Sequence, residues 1–157
     1  MCSSVRGVPE DPVAETLLAS RALLGMVARS LAPALERVTV PQFRALVVLS
    51  EGPSRMGDLA DRLGVHPSTL TRMVERLEQG GWIARAAVPG NRREVRVDLT
   101  DAGQELVATV TDGRRALFRE TLARLGPEER EAVRRGMAVF ARAAGEPEPA
   151  DLLDLGM

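Results

Sequence analysis

Residues 56–82, MGDLADRLGVHPSTLTRMVERLEQGGW, constrain this chain more than any other stretch. Met56, Leu59, Ala60 and Leu63 fall at the three- and four-residue steps of a short amphipathic helix, which Gly64 stops. Pro67 opens a second helix, on which Leu70, Met73, Val74 and Leu77 repeat at i, i+3, i+4, i+7. The spacer is too short to separate the two stripes. They must cross and bury Leu59, Leu63, Val65, Leu70 and Val74 together, which is the geometry of a helix-turn-helix. Ser68, Thr71, Arg72, Glu75 and Arg76 are left on the face away from that core, with Thr69 beside them. Short hydroxyl side chains at a helix N-terminus allow close approach to the floor of a major groove. Arg72 can reach guanine O6/N7 or a phosphate.

The periodicity then changes. Residues 82–85 and 95–99, WIAR and VRVDL, include short alternating runs, and the segment between them, VPGNRR, is rich in turn formers. This predicts a β-hairpin after the second helix, in effect a wing. Arg92 and Arg93 at its tip, with Arg85 and Arg96 on its strands, form the densest basic cluster of the chain, interrupted by Glu94 alone. Paired arginines on a tight turn suit a narrow, electronegative minor groove.

Long helices flank this unit. One runs from about Pro12 to Ala34, with Leu17, Leu24 and Leu31 in heptad spacing. A second opens at Pro41, with Phe43, Leu46, Val47 and Leu49 mostly buried. After the hairpin, Thr100 caps a helix of about 101–125. Gly126-Pro127 breaks it, and a last helix reaches about Ala144 with an apolar stripe of Val133, Met137 and Phe140. The expected fold is mainly α with a small β-hairpin wing. The layout is an N-terminal arm (1–12), helical dimerisation segments (13–36 and 101–144), a winged helix-turn-helix (37–100) and an acidic tail (145–157). The outer stripes exceed what so small a winged unit can cover, so they call for a second copy; the alternative is a monomer with these helices folded back.

Composition agrees with binding and argues against catalysis. Net charge is −1, but residues 41–100 carry nine Arg against seven acidic residues, and the remainder twelve against fifteen. The local field, not the total, matters for a polyanion. All basic residues are Arg, which reads as genome composition. Cys2 is the only cysteine and His66 the only histidine, which rules out a disulfide framework and leaves no ligand set for zinc. His66 reads as a helix cap and Trp82 as a core residue. No nucleophile–base set or phosphate loop is visible, so no enzyme and no cofactor are expected. No apolar run is of membrane-span length, and the N-terminus lacks a signal-peptide core, so the expected location is the cytoplasm.

DLADRLGVHPSTLTRMVERLEQGGWIAR, followed by NRREVRVDLTDAG entering a long helix, resembles the MarR family of winged-helix regulators. In arrangement the resemblance extends over about residues 13–144. It implies a homodimer, joined by helices from both ends of the chain, that binds pseudo-palindromic double-stranded DNA and answers to a small-molecule effector. By position, Ser68, Thr71 and Arg72 would face the major groove, and Arg92 or Arg93 would enter the minor groove. The family usually has Asp where this chain has Asn91. There the Asp braces the wing arginine; Asn keeps the acceptor but not the charge, and Glu94 is a candidate to replace it. Some relatives sense peroxide through an N-terminal-region cysteine. Cys2 lies in the arm, the chain has no Tyr to bond a thiolate, and Cys2 is read as inert. The competing interpretation is a winged-helix protein-interaction module that does not read DNA. Steep salt dependence of DNA binding separates the two.

Overall fold

A computed structural model describes the backbone of residues 12–88 and 91–145, and the side chains of 12–87 and 95–145. The readings of Cys2, the arm and the tail lie outside these residues, as do the side chains of Asn91, Arg92 and Arg93. Within them the order is α1 (Pro12–Leu35), α2 (Val40–Leu49), β1 (Ser54–Arg55), α3 (Met56–Leu63), α4 (Pro67–Gln79), β2 (Ile83–Val88), β3 (Asn91–Leu99), α5 (Asp101–Ala123) and α6 (Pro127–Ala143).

The helix boundaries follow from local chemistry. Thr39 and Gln42 cap α2 reciprocally: the Thr39 N–H donates to Gln42 Oε1 at 2.8 Å, and the Gln42 N–H to Thr39 Oγ1 at 3.4 Å. The helix therefore begins one residue before Pro41. Gly64 ends α3 at φ 65°, a left-handed turn that glycine adopts without steric cost. The Val65 N–H then donates to the Ala60 carbonyl at 3.0 Å, and the chain re-enters a helix at Pro67. Arg62 pairs with Glu51 and so ties α3 back to the end of α2.

The sheet has three strands in the order β1-β3-β2, all antiparallel. Two-residue β1 is absent from the sequence reading, because so short a run has no period of its own. Pairing of Ser54 with Val97 and Arg55 with Arg96 defines it. The hairpin is also longer than its turn-rich sequence suggests. Val88 and Asn91 already pair, so Arg92 and Arg93 belong to β3 rather than to a six-residue turn.

One apolar core runs through the winged unit and into its neighbours. Phe43, Leu46, Leu49, Leu59, Leu63, Leu70, Val74, Leu77, Ile83 and Val97 are buried together, joined by Ala34 from α1 and by Leu106, Val107 and Val110 from α5. The outer helices are far less covered. The residues that α1 buries are Met26, Ser30 and Ala34, packed towards α5, where Arg114 Nε donates to Ser30 Oγ at 3.3 Å. Its leucine stripe is not that face: Leu17 and Leu24 remain 62% and 69% exposed, and only Leu31 packs against the core. α6 buries none of its residues.

Candidate nucleic-acid interface

The helix that the sequence offers for reading DNA is α4 (Pro67–Gln79). His66 occupies its N-cap, as expected from its place before Pro67: Nδ1 accepts from the Ser68 N–H at 3.4 Å and lies 2.9 Å from Ser68 Oγ. The Ser68 hydroxyl is within hydrogen-bond distance of the ring and keeps lone-pair capacity for an incoming donor. Thr71 Oγ1 donates to the Pro67 carbonyl at 3.0 Å. Its proton is thereby used within the helix, so Thr71 offers an acceptor and a methyl group, suited to a base amino group or a thymine methyl.

Leu70, Val74 and Leu77 are buried beneath this helix, whereas Ser68, Thr69, Thr71, Arg72 and Arg76 are exposed. Arg72 and Arg76 have no ion-pair partner among the described residues. Beside them runs a groove of about 320 Å³, lined by Arg72, Arg76 and Thr69 from α4 and by Thr39, Pro41 and Gln42 from the start of α2. The sequence reading missed this contribution from α2. The T-x-x-Q capping pattern at 39–42 was the available signal, but only the fold sets it against α4.

Arg85 and Arg96 do not share a face of the wing. Strand alternation divides them. Arg85 stands opposite Val97, which is fully buried, so it shares the inner face of the hairpin. There it pairs with Glu78 at the end of α4. The bond to Arg85 holds the Glu78 carboxyl below its ordinary value, and the bond to Glu78 raises the Arg85 guanidinium above its own. Arg96 stands opposite Ala86 and Arg55 on the other face, exposed. Two arginines on directly paired strands repel one another. Arg55 is an exposed basic residue on the same face as Arg96, and only the β1–β3 pairing brings the two together.

The base of the wing is fastened to α5. Thr100 caps α5 by accepting from the Gly103 N–H at 3.2 Å, and its hydroxyl donates to the Gly81 carbonyl at 2.6 Å. The Thr100 N–H donates to the Trp82 carbonyl at 3.1 Å. A Cβ on residue 103 would fall well inside contact distance of that same carbonyl oxygen, so Gly is required there by space alone. The L-T-x-x-G run at 99–103 is thus a joint between hairpin and helix. Trp82 is half-buried against the core, in keeping with its structural reading.

A helix-turn-helix with a three-stranded wing, docked on long helices at both ends, is an architecture that this chain shares with known proteins. A family model described as the MarR family matches residues 38–95. MdtR, a transcriptional repressor of Bacillus subtilis strain 168, is 35% identical over 108 residues, 68% of this chain and 70% of MdtR. The chain belongs to the MarR family. Among solved structures, RV1404 from Mycobacterium tuberculosis superposes with a TM-score of 0.83 at 37% identity, covering 92% of this chain and 100% of that one. YusO from Bacillus subtilis gives 0.71 at 29% identity, over 87% and 99%. This MarR-family chain is therefore a transcription regulator with a DNA-binding winged helix, not an enzyme. Among the described residues, no helix is long and apolar enough to cross a membrane.

Proposed function

We propose that the chain works in the cytoplasm as a homodimeric repressor. It reads a pseudo-palindromic operator and is released by a small-molecule effector. The observation that carries this is the outer face of α4: Arg72 and Arg76 have no ion-pair partner among the described residues and stand beside three short hydroxyl side chains, on a helix whose other face is fixed in the core. In this reading Ser68, Thr69, Thr71 and Arg72 meet base edges, and Arg76 meets phosphate. Asn91, Arg92, Arg93 and Arg96 of the wing track the neighbouring backbone and minor groove. Residues 37–100 form the DNA-reading unit, and residues 13–36 and 101–144 the assembly region, with the arm at 1–12 and the tail at 145–157.

The dimer is supported by the exposed stripes of α1 and α6, and repression by the described role of MdtR. Two-fold symmetry would set two α4 helices about 34 Å apart, one turn of DNA. The effector reading rests on family membership. Its site belongs in the space between the outer helices and the winged unit.

The test is a footprint on the DNA flanking the chain's own gene, together with affinity measured against salt. A protected palindrome with a steep salt slope is expected. Arg72→Ala should reduce discrimination between that site and random DNA by about 1–3 kcal/mol. Arg92→Ala with Arg93→Ala should weaken binding and flatten the slope. A wild-type chain that binds all DNA weakly and with no salt slope would instead favour a protein-interaction module.

A further inference from the structure

We propose that Arg85 and Glu78 are positioning residues, an ion-paired brace that fixes the angle between the reading helix and the wing. The proposal rests on the DNA-binding reading above, and gives Arg85, part of the basic run of the wing in the sequence, a role other than touching DNA.

The corner between α4 and β2 is three residues long, Gly80, Gly81 and Trp82, and Gly81 turns at φ 76°. Its backbone bonds, from the Gly81 N–H to the Glu78 carbonyl at 2.9 Å and from the Trp82 N–H to the Leu77 carbonyl at 2.9 Å, hold the corner itself. They do not hold the blade beyond it. Glu78 lies on the helix before the corner and Arg85 on the strand after it, so their ion pair closes the angle like a strut. Arg85 is exposed but stands on the α4-facing side of the hairpin, opposite buried Val97. Glu75, one turn earlier on α4, adds to the negative field that Arg85 meets. β2 continues three residues past Arg85, about 10 Å at ~3.3 Å per residue, so a small change of angle at the strut is magnified at the end of the hairpin. Two parts that must meet the major and minor grooves together gain from a fixed angle, because the angle is then not set during binding.

A phosphate-contacting Arg85 makes the opposite prediction, and a double-mutant cycle on DNA affinity separates them. The ligand is the duplex that the wild-type protein enriches from a random-sequence pool, titrated with wild-type, Glu78→Ala, Arg85→Ala and the double variant. Arg85→Ala should weaken binding about five-fold in the wild-type background and leave it unchanged once Glu78 is already Ala. The salt slope should be the same for all four proteins, and their melting temperatures should agree within about 2 °C. The exchange Glu78→Arg with Arg85→Glu should restore affinity to within about two-fold of wild type. The brace is overturned if Arg85→Ala costs as much without Glu78 as with it, if it lowers the salt slope by about one, or if the exchange restores nothing. A wild-type protein that enriches no duplex overturns the DNA-binding reading instead.

Discussion

The first half of α5 and the whole of α6 carry similar apolar stripes, yet they meet different fates. Leu106, Val107 and Val110 are buried against the winged unit, and Gly103 lets the helix touch the wing's backbone. Val133, Met137, Val139 and Phe140 of α6 remain exposed, as do Val13, Leu17, Leu18 and Leu24 of α1. An amphipathic pattern therefore shows that a helix has a face to cover, not what covers it. The winged unit completes its core within the chain. The outer helices leave apolar area of a kind that monomers rarely expose.

The largest expected effect removes what the outer helices await. Met137→Asp with Phe140→Asp should leave the winged unit folded and produce a monomer in sedimentation. The loss of two-site binding should cost about 100-fold or more in operator affinity. A dimer that survives both changes would move the interface away from α6. Within the winged unit, Leu70 is fully buried under the reading helix. Leu70→Ala should cost about 2–5 kcal/mol by chemical denaturation, and an equal loss for the exposed Leu24→Ala would erase the contrast drawn here. At the joint between the two regions, Gly103→Ala forces α5 away from the Trp82 carbonyl and should cost about 1–3 kcal/mol. The smallest effect is electrostatic. Arg134 holds the Glu131 carboxyl below its ordinary value, as Arg85 does for Glu78. A lowered carboxyl value gives stability that is complete above the unfolded value and is lost as pH falls through the folded one. Both pairs are exposed, so melting measured from neutral pH down to the ordinary carboxylate range should hardly differ between wild type and Glu131→Gln.

The helix-turn-helix was legible because its signals are local and agree. Gly64, Pro67 and two crossing stripes all point to one arrangement, and the caps at His66 and Thr100 stand where the sequence places them. The wing was legible as a hairpin but not as a surface. Arg85 and Arg96 lie eleven residues apart on one basic run, yet pleating sends them to opposite faces. β1 and the groove shared by α2 and α4 left little trace, since each exists only through residues distant in the chain.

By itself, then, the sequence determined the helices, the hairpin, the family and the chemistry offered by α4, because helical period, capping and turn formation act over a few residues. The tertiary structure decided what that chemistry is free to do. It left Arg72 and Arg76 without a carboxylate partner among the described residues and set Arg85 against Glu78. It pressed Gly103 onto Trp82 and left the stripe of α6 uncovered. Those outcomes depend on which face of each strand and helix turns inward, and that is fixed by packing between distant segments rather than by any local pattern.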